Sequence, residues 1–158
     1  MTARFFRPAI LGIGLLAMSG HAYSAEVKLS PQALDLLRAE MREVSAGVQA
    51  MALSIASADW RAIQDTSARI RASYIMEKKL TPAQARELET ALPPRFKALD
   101  AEFHDRAGKL GAAAAAHNAK LVVAQYSHML ESCTVCHAEF AKSRFPNFAS
   151  RSDPAPSH

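Results

Sequence analysis

Leu34, Leu37, Met41, Val44, Val48, Met51 and Ile55 recur at alternating steps of three and four residues. That spacing keeps returning to one side of an α-helix, so from Pro31 onward it predicts a single apolar stripe along about seven turns. Ser30 is a suitable N-cap, and Pro31 suits the first helical position, where its missing N–H costs nothing. A long helix with one apolar face needs partners to cover that face. The rest of the chain has the pattern to supply them.

After a break at Ser57 to Asp59, a second helix carries Trp60, Ile63, Ile70 and Tyr74 and is expected to end near Lys78-Lys79, cations suited to a helix C-terminus. Thr81-Pro82 opens a short helical turn through about Leu92, and Pro93-Pro94 closes it. A third long helix shows Phe96, Leu99, Phe103, Ala107 and Leu110, continues through the alanine run at 112–116 and meets a boundary near Asn118. The last shows Val122, Tyr126, Met129, Cys133, Cys136 and Phe140, and Phe145-Pro146 stops it. No stretch alternates with period two, so no strand is expected. The fold class expected is all-α, an antiparallel up-down-up-down four-helix bundle over residues 26–148, with residues 149–158 a disordered tail.

Composition narrows the class. With 49% hydrophobic and 22% charged residues in 158, the chain is neither disordered, collagen-like nor a polytopic membrane protein. Arg4 and Arg7 precede an apolar run from Ala9 to Met18, too short for the ~20 residues that a bilayer span needs. Residues 1–25 therefore read as a signal peptide cut somewhere from 22 to 25, or retained as an anchor, and the domain is expected in the periplasm. Losing Arg4 and Arg7 lowers a formal net charge of +4 only slightly, too little positive charge to imply nucleic acid. No other stretch reads as a membrane span.

Chemistry concentrates in Cys133-Thr134-Val135-Cys136-His137. C-x-x-C-H is the covalent haem attachment pattern. Two thiols three residues apart share one helical face and can reach the two vinyl groups on one porphyrin edge. The next residue lies about 100° further round, where its imidazole can bind iron. A disulfide at helical i, i+3 spacing would be strained, a redox C-x-x-C wants a βαβ setting, and zinc wants two more soft ligands. The expectation is one covalent haem c, held by Cys133 and Cys136, with His137 as metal ligand. Tyr126, Met129 and Phe140 on the same stripe would lie beside it.

An exported chain of this size with a four-helix pattern and C-x-x-C-H on its last helix resembles cytochrome c′. By architecture the resemblance covers nearly all of the mature chain. In detail it rests on the attachment motif and on Phe140. It implies that the first helix faces the open side of the iron, at Met41, as sixth metal ligand or distal lid, with Arg38 and Arg42 near a propionate. One departure stands out: the basic residue that the family usually places one turn after the proximal histidine is Ala141 here, with Lys142 and Arg144 rotated away. The implied function is electron transfer with periplasmic redox partner proteins. Binding of a small gas such as NO or CO at an open site is the alternative. A monohaem peroxidase using Glu40 or Arg42 is a third reading. A homodimer through the first two helices is implied as well, with Trp60 its candidate contact.

The remaining histidines are weaker candidates. His128 lies about 180° round the helix from His137. His104 is expected at the bundle surface, His117 in a turn, His158 in the tail and His21 in the leader. Glu40, Glu43, Glu87 and Glu89 read as exposed helix charges, and no catalytic triad or phosphate loop is present.

Overall fold

The computed structural model describes residues 27–76 and 80–148. The expected signal segment and the expected tail lie outside these residues. Among the described residues the chain is all-helical, with five α-helices and no strand: α1 (Pro31–Ala56), α2 (Trp60–Arg71), α3 (Pro82–Ala91), α4 (Pro94–Ala115) and α5 (Ala119–Phe140). A 3₁₀ turn at Pro146–Phe148 follows. No helix of the described residues is long and apolar enough to cross a membrane.

The helix starts follow the local chemistry closely. Ser30, Asp59, Thr81 and Asn118 each accept a backbone N–H from the first turn of the helix that follows. Thr81 and Gln84 form a reciprocal capping box, which makes α3 a proper helix rather than a single turn. The joints from α1 to α2 and from α4 to α5 are built alike. Ala58 (φ 54°) and His117 (φ 52°) take the left-handed conformation. Ala58 N–H then reaches Ile55 O, Asp59 N–H reaches Ser54 O, His117 N–H reaches Ala114 O, and Asn118 N–H reaches Ala113 O. Each joint is thus a Schellman closure whose last residue caps the next helix, so the chain turns in about three residues.

The core joins Val44, Val48 and Met51 of α1, Ile63 and Ile70 of α2, Ala107, Leu110, Ala113 and Ala114 of α4, and Val122 and Met129 of α5. Fully burying each larger aliphatic side chain here is worth about 1.5–3 kcal/mol. The main packing pairs are α2 with α4, α4 with α5, and α1 with α2, while α1 touches α5 and α3 only lightly. Gly111 allows the α2–α4 approach, since a Cβ there would lie 3.1 Å from Ser67 Cβ.

α1 departs from its expected rotation in its first half. Its buried line is Ala33, Glu40, Val44, Val48 and Met51. Leu34 and Leu37 are half-buried, and Met41 is 40% exposed, about 70° round from the centre of that line. Glu40, expected as an exposed charge, is 2% exposed. Its carboxylate accepts the backbone N–H groups of Tyr74 (2.8 Å), Ile75 (2.6 Å) and Met76 (3.1 Å). The same contact corrects the end of α2, which closes at Arg71 rather than near residue 78. Ser73 turns left-handed (φ 50°), and the three following N–H groups bond Glu40 instead of continuing a helix. Glu87 also differs from its exposed expectation: half-buried, it accepts the N–H and the hydroxyl of Ser30, tying α3 to the start of α1.

Hydrogen bonds to a charged acceptor are worth about 1.5–3 kcal/mol each and are not additive. Glu40→Ala is therefore expected to lower the unfolding free energy by about 3 kcal/mol in urea denaturation. Glu40→Gln should cost less, because its amide oxygen still accepts.

Candidate functional site

Helix α5 starts on the Asn118 cap and ends where Ala141 N–H bonds His137 O (3.0 Å). The last two turns of α5 carry the C-x-x-C-H motif. Met129 and Ser132 face inward, while Thr134 and Val135 face solvent. Cys133, Cys136 and His137 fall between, each half-buried, and both thiols are free. At 100° per residue the two cysteines lie about 60° apart on the helix, with His137 following on the next step.

Burial sets the protonation of the group. Cys136 is pushed up to about 11, first by burial and then by the negative charges of Asp100, Cys133 and Glu139. Burial also raises Cys133 and lowers His137. At neutral pH the thiols are protonated, unlike the thiolates of disulfide exchange. The imidazole is neutral, so one ring nitrogen keeps its lone pair. Among the described residues no hydrogen bond reaches either ring nitrogen of His137.

Aromatic rings surround this end of α5. Phe140 meets Phe96 of α4 edge to face at 5.3 Å, and Phe145 stacks on His137 at 4.3 Å with 19° between the planes. Arg95 of α4 pairs with Glu139 at 3.3 Å. One helical turn or more back along α5, Met129 is fully buried and the Tyr126 hydroxyl donates to Val48 O (3.0 Å). Both sit in, or pack against, the hydrophobic core.

Of the expected site residues, Cys133, Cys136, His137 and Phe140 thus share the end of one helix, while Tyr126 and Met129 support it from the core. Met41, Arg38 and Arg42 are on α1, and no hydrogen bond or ion pair joins them to α5 among the described residues. Arg38 instead pairs with Asp35 at 3.5 Å, with both side chains well exposed, and Arg42 is exposed. Met41 is corrected from mid-core to the flank of α1, for the rotation given above.

Trp60, expected as an outward contact, stacks on His117 at 5.3 Å and packs against the core of its own chain. His117 lies in a turn as expected. His128 is exposed, 3.4 Å from Glu131. His104 is not a surface residue. It is half-buried, with Nδ1 2.7 Å from Ile70 O and Nε2 3.6 Å from Asp100. Among the described residues no group of three or more His, Cys, Asp or Glu is arranged to hold a bare metal ion.

Searches for a matching protein-family model, a similar curated protein and a similar solved structure found none.

Phe96, Phe145 and Asp100 join this end of α5 although the sequence pattern assigns them no role there: Phe96 reads as a stripe residue of the third helix and Phe145 as the stop of the last. Asp100 deserves its place because it lies within electrostatic reach of both His104 and Cys136. Its bond to His104 is the main cause that raises that histidine above its ordinary 6.5, opposed by burial and assisted by the Ile70 carbonyl and the Glu40 charge. A raised folded value means that this stabilisation is complete below the unfolded pKa and is lost as pH rises through the folded one. The contribution of His104 to stability should therefore fall as pH rises from about 6 upward, and urea titrations at a series of pH values should show His104→Gln losing less stability over that range than the parent chain.

Proposed function

We propose that this chain is an exported monohaem c-type cytochrome that carries electrons in the periplasm, with one covalent haem c on the last helix of an up-down-up-down bundle similar to cytochrome c′. The carrying observation is the C-x-x-C-H end of α5, with two free, half-buried thiols and a half-buried imidazole whose ring nitrogens take no hydrogen bond among the described residues. The short Schellman joints and the Trp60–His117 stack favour the bundle topology.

The residues present fit the group. Cys133 and Cys136 would hold haem through two thioethers, and His137 would ligate the iron through an in-plane nitrogen. Phe96, Phe140 and Phe145 supply apolar rings around that end of α5, and Met129 and Tyr126 close the core behind it. Bound haem supplies an iron that exchanges one electron between the ferrous and ferric states. The chain's own part is to fix the imidazole, keep water from it and present the site to redox partner proteins.

Met41 divides two readings. In the first, the chain would serve as an electron carrier alone, because Met41 would ligate the iron through its thioether. Its 40% exposure on the flank of α1 favours the second reading, in which the open side admits a small gas such as NO or CO. The homodimer through α1 and α2 belongs to the same proposal. Trp60 is packed against the core of its own chain, and the exposed large apolar side chains on α1 among the described residues are Leu53 (75%) and Met41 (40%).

The reduced, periplasmically expressed protein should show a c-type spectrum whose absorbance stays with the chain in denaturing gels. Cys133→Ser with Cys136→Ser should abolish that covalent colour, and covalent haem at normal yield in the double variant would overturn the assignment. Added CO separates the two readings. A sharp low-spin spectrum that CO leaves unchanged supports a filled sixth position with Met41 as ligand, and conversion by CO supports gas binding.

A further inference from the structure

Phe145 lies eight residues beyond His137. Had α5 continued, it would be about 12 Å further along the axis. The chain folds back instead. Ala141 O accepts N–H bonds from both Arg144 (3.0 Å) and Phe145 (2.9 Å), so residues 141–145 close into a tight turn. Pro146 follows directly, which holds Phe145 away from a helical conformation and stops the turn from propagating. Phe148 N–H bonds Phe145 O (3.1 Å), and the Phe148 ring meets Phe145 edge to face at 6.4 Å. The result is a short aromatic fold-back whose inner ring covers one face of His137.

The geometry of that cover matters. A stack at 4.3 Å and 19° uses the π face of the imidazole and leaves its in-plane nitrogens clear. Rotation of the His137 ring about its own bond to Cβ would drive its edge into Phe145. Phe145 is itself 37% exposed, so the ring that covers this face of His137 has its own outer side in solvent. No cation lies one turn after His137, where position 141 is alanine.

We propose that Phe145 is a positioning residue for His137: it fixes the rotation of the imidazole and screens it from water, so that the ring presents one nitrogen in a single orientation. This rests on the reading of His137 as the haem ligand. Phe145 acts by stacking through a neutral ring, with Phe148 as its outer brace.

The test uses the haem-loaded full chain. Phe145→Leu keeps apolar bulk without a ring, Phe145→Tyr keeps the ring, and Phe148→Leu removes only the brace. Covalent haem content of each is measured first by its pyridine complex. The iron–histidine stretching band of the reduced protein and the reduction potential are then compared. Phe145→Leu should load haem at parental yield yet shift and broaden the band and move the potential, with Phe145→Tyr restoring both and Phe148→Leu giving a smaller change of the same sign. A Phe145→Leu protein with parental band and potential overturns the inference. Should Phe145→Leu fail to fold, Phe145→Met decides the same question by the same readouts. A parental chain without covalent haem overturns the proposed function and this inference with it, whereas a loaded parent with an unmoved Phe145→Leu band overturns this inference alone.

Discussion

The buried Glu40 carboxylate of α1 holds the chain at the end of α2 through three backbone N–H groups. Among the described residues, two of the three left-handed helix closures are completed by the helix's own carbonyls, at Ser54 and Ala113. At the third, after α2, Ser73 N–H still reaches Ile70 O, but the next three N–H groups belong to Glu40 of α1. A charged side chain with 2% exposure is tolerated only because those donors meet it. The bond fixes where α2 stops and which side of α1 faces inward. By turning Glu40 in, it leaves Leu34 and Met41 on the neighbouring face of α1.

The end of α5 shows the same dependence on what lies outside the helix. Within the helix, spacing alone sets Cys133, Cys136 and His137 side by side. Their environment comes from elsewhere: Phe96 and Asp100 from α4, and Phe145 from the turn after α5. Burial keeps the thiols protonated and the imidazole neutral, and the neutral ring keeps a lone pair with which it can ligate. The pairing of Asp100 with His104 ties this region to the α2 terminus through Ile70 O, and Glu40 adds its charge to the same histidine. Electrostatics therefore link the end of α2, the middle of α4 and the motif on α5.

Much of the fold was legible in the pattern of the chain. The caps at Ser30, Asp59, Thr81 and Asn118 announce their helices because an N-cap acts over three residues and needs no tertiary partner. The spacing points Val44, Val48, Met51, Ile63, Ile70, Leu110, Val122 and Met129 inward, and all eight lie in the core. The reading failed where a polar group outcompeted an apolar one. Met41 fits the three-four spacing as well as Val44 does, and nothing local reveals that Glu40 beside it will find three backbone donors 34 to 36 residues away. The same blindness makes His104 a surface residue, since its partner carbonyl is on another helix, and leaves the Trp60 stack on His117 of the same chain unforeseen.

What the sequence by itself determined are features that act within one or two helical turns: helix type, helix starts, the tight joints at Ala58-Asp59 and His117-Asn118, and the shared face of Cys133, Cys136 and His137. Only the tertiary structure decided the rotation of α1, the stopping point of α2 and the ring that covers His137. The reason is physical. A helical periodicity fixes which residues share a side but not which side is turned inward, and that choice falls to contacts such as Glu40 with Tyr74 to Met76 that exist only once distant segments meet.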